Sequence, residues 1–268
     1  MPKEPLVTII MPVFNSANTL QRAIDSVLSQ DHTHLELLII DNNSSDESKQ
    51  IAFSCSDPRV KVLEELKQGV SAARNIGLGE AKGKLICFLD SDDEFPPKSI
   101  SSRVSIMNDS EVNFVDGSVE FRGSKRPTWT PKNDGELLKG LVKLNGNCFC
   151  GITWMIRKNV VESTRFSENM THSEDLLFLI TMAQKGGKYA FSDQITYRVH
   201  TVEGSLMSNL IGLKDGYLQT SKSLQKLNIE PAWLADFKKK ARSIMIKSFL
   251  KDGQLREAWK TYLTFLLD

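Results

Sequence analysis

The sequence predicts an α/β protein, a mainly parallel sheet covered by helices on both faces, with a helical extension at its C-terminal end. Three observations predict it. Short, continuously apolar runs alternate with helix-patterned stretches through the first 116 residues, the pattern of parallel strands buried on both faces. Two of those runs, separated by some fifty residues, end in aspartates. From Gly216 onward the pattern is helical alone.

The elements follow in order. Leu6 to Met11 is a buried strand, and Asn18 with Gln21 three residues on marks the start of a helix over Thr19 to Gln30. Leu35 to Ile40 is the second strand, ending at Asp41. The polar turn Asn42-Asn43-Ser44-Ser45 then opens a helix near Asp46. Val60 to Leu63 is the third strand; Gly69 precedes a helix from Val70 to about Ala81, which Gly83 ends. Leu85 to Leu89 runs into Asp90-Ser91-Asp92-Asp93, Pro96 and Pro97 start a helix near Lys98, and Val112 to Val115 is the fifth strand. Beyond it the pattern predicts a helix over Glu136 to Leu144, a strand over Ile152 to Ile156 and a helix over Glu174 to Lys185. Short strands follow at Tyr189 to Phe191 and Ile195 to Val199. Right-handed crossovers put the C-terminal ends of parallel strands on one edge, where such sheets bind ligands. Asp41 and the Asp90–Asp93 cluster therefore meet in one crevice.

Composition excludes several classes. Hydrophobic residues at 40% and charged residues at 25% are ordinary for a globular chain of 268 residues, and a net charge of +1 gives no electrostatic footprint for nucleic acid. Cys148 and Cys150 are too closely spaced for the usual zinc pair, so Cys55, Cys87, Cys148 and Cys150 are expected as thiols in a reducing compartment. No secretory pattern opens the chain and no window is apolar enough to span a bilayer, so a cytoplasmic location is expected.

Crowded carboxylates resist burial without a cation nearby, and their hard oxygens suit Mg²⁺ or Mn²⁺ alongside substrate phosphates. A solvated acidic turn is the other reading of Asp90-Ser91-Asp92-Asp93 taken alone. Its neighbours decide between the two. Ile9-Ile10-Met11-Pro12-Val13-Phe14-Asn15, Leu38-Ile39-Ile40-Asp41-Asn42-Asn43-Ser44-Ser45-Asp46, Gly69-Val70-Ser71-Ala72-Ala73-Arg74-Asn75 through Phe88-Leu89-Asp90-Ser91-Asp92-Asp93, and Ser173-Glu174-Asp175-Leu176-Leu177-Phe178 form an ordered set. In that order and spacing, over residues 6 to 200, the chain resembles a family 2 glycosyltransferase of the GT-A fold, the Rossmann-like fold of nucleotide-diphospho-sugar transferases, of the bacterial surface-polysaccharide type.

The resemblance implies a GT-A catalytic domain over residues 1–210, with a nucleotide-binding half (1–116) and an acceptor-binding half (117–210), and a helical extension over 211–268. It implies that Pro12, Val13, Phe14 and Asn15 line the nucleotide pocket and that Asp41 and Asn42 contact the base. Many members carry an aspartate in place of Asn42. Arg74 is expected near the base or phosphates, with a surface ion pair as its other reading. Asp90 and Ser91 are expected by the ribose. Asp92 is the expected ligand of Mn²⁺ or Mg²⁺, joined by His200, whose imidazole favours Mn²⁺. Asp93 is expected to cap the next turn. Asp175 matches the general base, which takes the acceptor hydroxyl's proton. Glu174 fits either the acceptor site or a capping box with Thr171. Trp154 could stack on a sugar or pack in the core, His172 could touch acceptor, and His32 and His34 are expected as solvated loop residues.

The reaction so implied is an inverting single displacement from a nucleotide-diphosphate sugar, UDP-sugar favoured. The acceptor is a saccharide or lipid-linked saccharide of lipopolysaccharide O-antigen or capsule synthesis. No Gln-x-x-Arg-Trp motif of processive synthases is present. A nicotinamide dehydrogenase would need a Gly-x-Gly-x-x-Gly turn after the first strand, and a sugar nucleotidyltransferase a Gly-rich basic loop; Pro12-Val13-Phe14-Asn15 is neither. A nucleotide-sugar-binding module that has lost turnover is the alternative. The basic, amphipathic stretch at residues 237–251 could lie on anionic lipid at the inner face of the cytoplasmic membrane, or pack on the protein.

Overall fold

The computed structural model describes residues 4–132, 137–201 and 209–267. Its first half is a run of parallel strands and covering helices: β1 (Val7–Val13), α1 (Leu20–Leu28), β2 (Leu35–Asp41), α2 (Ser48–Ser54), β3 (Val60–Glu64), α3 (Val70–Glu80) and β4 (Leu85–Phe88). It continues with α4 (Ser99–Met107), β5 (Val112–Arg122), α5 (Leu137–Lys143), β6 (Met155–Arg157), α6 (Lys158–Val161), α7 (Glu174–Ala183) and β7 (Lys188–His200). The helices α8 (Leu210–Lys226), α9 (Pro231–Lys251) and α10 (Leu255–Leu267) end it. The seven strands form one sheet in the order β3-β2-β1-β4-β6-β5-β7. Pairing is parallel except at β6, which runs antiparallel to both β4 and β5.

Alternate strand residues feed two cores. Ile10, Leu38, Ile40, Ile86 and Phe88 pack on α3 and α7, while Ile9, Met11, Leu37, Ile39 and Cys87 pack on α1 and α4. Helix α3 lies close to β1 because Gly77 allows it: a Cβ there would stand 2.4 Å from Ile10 Cγ2. The apolar burial of both faces is what continuous hydrophobic strands require.

Several boundaries differ from the expectation. Helix α1 begins at Leu20, with Thr19 at the cap position and no side-chain cap; the Ser16 carbonyl accepts the Thr19 and Leu20 N–H groups instead of Asn18 capping. Strand β5 runs on to Arg122, and the two short strands expected near residues 189 and 195 are one strand, β7. The two elements pair along their whole length through bulges near Asp116 and Ser118, which mask the alternation in the sequence. Of the expected 152–156 strand only Met155 and Ile156 pair, and the paired strand runs on to Arg157. Glu136 lies outside the described residues. His32 is buried, its Nε2 3.1 Å from the carbonyl oxygens of both Pro5 and His34, rather than solvated. None of the four cysteines is in a disulfide.

The helices after residue 210 are continuous with the rest. Leu224, Phe237, Ala241 and Phe265 join the same core as β4 and α7. Phe237, Ala241, Met245 and Phe249, four residues apart, form the buried stripe of α9. Of the two readings open for residues 237–251, packing on the protein is the one the apolar stripe takes. Amphipathicity shows that a face is apolar, not what covers it.

Candidate active site

The crevice lies at the C-terminal ends of β1, β2 and β4. Pro12 and Val13 are buried within β1 rather than in the following loop, because β1 keeps pairing with β2 as far as Val13 and Asp41. Pro12 fits there because β1 pairs with β4 only as far as Ile10 and Phe88, so its missing N–H leaves no ladder bond unmade on that side. Phe14 and Asn15 are exposed at the rim. Asn15 holds the two loops together: its N–H donates to Ser44 Oγ (3.1 Å), and its Oδ1 accepts from Ser45 N (2.8 Å). Both Asn15 and Asn43 adopt positive φ, a costly conformation for non-glycine residues that clusters at functional sites.

Asp41 is buried. One carboxylate oxygen accepts from Ser44 N at 3.3 Å and the other, Oδ1, has no hydrogen-bond partner. Such a stranded acceptor suits an N–H donor. Asn42 is occupied differently. Its Nδ2 donates to the carbonyls of Glu65 (2.9 Å) and Lys67 (2.8 Å), and its Oδ1 accepts from Gly69 N (2.7 Å). Both side-chain donors are spent fixing the loop between β3 and α3, so the amide is a loop clamp. This explains locally why an amide, not a carboxylate, stands here: only an amide donates to two carbonyls.

The turn after β4 is crowded with charge. The Asp90 N–H donates to the Tyr197 hydroxyl (3.1 Å), the Ser91 and Ser16 hydroxyls lie 2.7 Å apart, and an Arg22 Nη donates to the Asp92 carbonyl. Asp93 is buried and its Oδ1 accepts from His200 N at 2.9 Å, so it ties this turn to the end of β7 rather than capping the next one. Burial, then the carboxylates of Asp90 and Asp92, push Asp93 up to about 8. Burial and Asp90 likewise raise Asp92. Burial, then the Arg22 charge, lower the imidazole of His200, favouring the neutral form that binds metals.

The acidic turn of α7 faces this one. Ser173 takes a left-handed backbone (φ 64°) that swings Glu174 and Asp175 into the crevice, and no side chain caps the helix. The expected Thr171–Glu174 capping box is not formed; Thr171 Oγ1 lies 3.0 Å from His172 Nδ1. Helix α8 braces the turn: Thr220 Oγ1 donates to Ser173 Oγ (3.3 Å), and Gly216 lets it approach so closely that a Cβ would stand 2.5 Å from the His172 carbonyl oxygen. Arg74, only 4% exposed, donates to Asp90 Oδ1 (2.9 Å) and Glu174 Oε1 (3.2 Å). Burial opposes its charge, but Asp90, Glu174 and Asp175 outweigh that and raise its pKa. Burial, then Glu174, push Asp175 up to about 7 against the opposing pull of Arg74. A carboxylate near 7 is suited to take a proton at neutral pH.

Two expected acceptor contacts are not at the surface. Trp154 is fully buried, packs on Phe114 and Tyr189, and donates from Nε1 to the Phe149 carbonyl (3.0 Å); it is a core residue because its strand lies between β4 and β5. His172 is buried beneath α8 against Gly212 and Gly216. Glu174 is spent on Arg74. Sequence reading missed Ser16, Arg22 and Tyr197. Only Tyr197 left a signal, since a buried tyrosine in a strand needs a partner for its hydroxyl.

The residues fit a divalent cation held jointly with a substrate. Asp92 is a hard carboxylate whose pKa burial and then Asp90 raise, and His200 Nε2 is buried without a hydrogen-bond partner, 3.5 Å from Glu94 Oε2. Among the described residues no three His, Cys, Asp or Glu side chains converge on one point, which argues against an all-protein cage. One or two protein ligands completed by diphosphate oxygens is the usual arrangement for Mg²⁺.

Residues 8–165 match the sequence model of glycosyl transferase family 2, and the chain belongs to that family. It is 31% identical over 208 residues to a Haemophilus influenzae glycosyltransferase, covering 76% of this chain and 83% of that one. It is 28% identical over 234 residues to the GalNAc(5)-diNAcBac-PP-undecaprenol β-1,3-glucosyltransferase of Campylobacter jejuni (82% and 74%). It is 39% identical over 117 residues to the UDP-Glc:α-D-GlcNAc-diphosphoundecaprenol β-1,3-glucosyltransferase WfgD of Escherichia coli (43% and 46%). Staphylococcus aureus TarS 1–349 in complex with UDP-GlcNAc superposes with a TM-score of 0.73 at 19% identity, over 91% of this chain and 72% of that one. The mannosyltransferase PcManGT of Pyrobaculum calidifontis, in complex with GDP-Man and Mn²⁺, gives 0.68 at 17% identity (99% and 81%). The fold is GT-A, and glycosyl transfer is the activity of the family.

Proposed function

We propose that this glycosyltransferase moves one sugar, with inversion, from a UDP-sugar to a hydroxyl of a saccharide carried on a polyprenyl diphosphate, in the synthesis of a surface polysaccharide such as O-antigen or capsule. The observation that carries the reading is Arg74. One guanidinium spans Asp90 on the donor side and Glu174 on the acceptor side, so the two acidic turns are a single guanidinium apart. The relatives named above supply the lipid-linked acceptor class and, through the E. coli enzyme, UDP-glucose as the first donor to try.

In this reading Asp41 Oδ1 accepts the uracil N–H, and Asp90 and Ser91 lie along the ribose. Asp92 and His200 would hold Mn²⁺ or Mg²⁺, which supplies electrostatic stabilisation to the departing diphosphate. Asp175 takes the proton of the acceptor hydroxyl as its oxygen bonds to the anomeric carbon from the face opposite the diphosphate. The carbon–phosphate-oxygen bond breaks and UDP leaves. The backbone strain at Ser173 and the bracing by α8 hold that base in place, which is the positioning such a displacement needs. No described helix is long and apolar enough to cross a membrane, and we place the reaction on the cytoplasmic side, where nucleotide sugars and the polyprenyl carrier would meet.

Calorimetric titration with UDP and with GDP, each with and without Mn²⁺, tests the donor site in the wild type and in Asp92→Ala. The expected result is metal-dependent UDP binding that the variant loses. Metal-independent binding, or a preference for GDP, overturns the assignment.

A further inference from the structure

We infer that the α9–α10 hairpin seats the protein on an anionic phospholipid surface, with the outer face of α10 entering the headgroup layer. Leu255, Trp259, Tyr262 and Leu263 fall on one stripe of α10 and are 69%, 63%, 40% and 43% exposed. The opposite stripe, Ala258, Thr261 and Phe265, is buried in the protein. The exposed stripe is thus surplus to folding. Its chemistry is specific: Trp259 and Tyr262 stack at 5.8 Å between centroids, and amphipathic rings of this kind favour the boundary between acyl chains and headgroups.

Charge selects the occupant. Residues 238–260 carry eight basic and two acidic side chains in a chain whose net charge is only +1, so the remainder of the molecule is acidic overall. Lys239, Lys240, Lys247 and Lys251 lie exposed on α9, while Arg256 and Lys260 lie beside the apolar stripe of α10. Arg242 of α9 stands over the Tyr262 ring at 5.4 Å, which joins the basic helix to the apolar one as a single surface. Two copies of so basic a surface repel each other, whereas anionic headgroups neutralise it. The lipid contact therefore belongs to α10, with α9 contributing charge alone. The inference rests on the proposed lipid-linked acceptor only for its purpose, since a surface-bound enzyme would meet that substrate in two dimensions.

Co-sedimentation of the full chain with phosphatidylglycerol vesicles and with phosphatidylcholine vesicles tests it. Binding is expected to the former alone and to weaken between about 0.05 M and about 0.5 M salt. Trp259→Ser with Leu263→Ser, and separately Lys239→Glu with Lys240→Glu and Lys247→Glu, are expected to lower vesicle affinity about tenfold or more. Both should leave UDP binding unchanged, because none of these residues touches the crevice. Wild type that stays in the supernatant, or variants that sediment like wild type, overturns the inference. So does a concentration-dependent dimer in sedimentation velocity that Trp259→Ser with Leu263→Ser abolishes, which would assign the stripe to a second copy. Loss of UDP binding in the wild type would instead sink the donor reading and leave the vesicle result standing.

Discussion

Replacing Arg74 by methionine keeps an unbranched apolar stem and removes the guanidinium that joins the two acidic turns. Its guanidinium makes ion pairs at 2.9 Å to Asp90 and 3.2 Å to Glu174. Glu174 is nearly as buried as the arginine, while Asp90 is partly open to water. Removing one partner of a buried pair costs about 3–5 kcal/mol, because the other charge is stranded. The open side of Asp90 reduces its share, so a loss of about 2–4 kcal/mol is expected, and at about 2–4 °C per kcal/mol the midpoint should fall by about 5–15 °C at pH 8. Arg74→Met with Glu174→Gln should recover much of the loss by removing the more buried stranded charge. Arg74 is also what holds the pKa of Asp175 down, so the acid limb of the activity profile should move to higher pH in Arg74→Met. Thermal unfolding at pH 8 with kcat/KM–pH profiles reads all of this. An unchanged midpoint, or an unmoved acid limb, refutes the network as drawn.

Four further perturbations have expected outcomes. In the wild type, kcat/KM should rise about tenfold per pH unit below about 7 and level off above, since only ionised Asp175 accepts a proton. Asp175→Asn should lower kcat about 10²- to 10⁴-fold with donor affinity retained. A carboxyl whose folded pKa lies above its unfolded one loses stability for the protein as pH rises through that interval, here from 3.8 to about 7. Asp175→Asn should therefore melt higher than wild type above pH 7 and level with it below pH 4. Asn42→Asp should destabilise by about 2 kcal/mol or more, because a carboxylate faces the Glu65 and Lys67 carbonyls with no proton to donate; an unchanged melting point would return the side chain to the pocket. Trp154→Phe should lower the melting point through the lost bond to the Phe149 carbonyl and leave the acceptor KM within about twofold; the reverse pattern would place it at the acceptor.

Much of the first half of the fold was legible in the chain because its signals are local. Continuous apolar runs specify strands buried on both faces, and the aspartates ending two of them, Asp41 and Asp90, must reach the same sheet edge once the strands are parallel. The spacing of Gly69 to Asn75 and of Ser173 to Phe178 fixed helices α3 and α7 to within a few residues. Only the tertiary structure decided what each polar group does there. Asn42 could serve the base or the backbone, and three carbonyl and amide groups of a neighbouring loop settled its use. Arg74 could pair with any acid; the approach of α7 to β4 chose Asp90 and Glu174 together. Trp154 and His172 were lost to the core because burial depends on neighbours remote in sequence. The same reason governs the two C-terminal helices. Packing covers the apolar stripe of α9 and one side of α10, and leaves Leu255, Trp259, Tyr262 and Leu263 of α10 in water, a difference made by contacts between elements that no local pattern encodes.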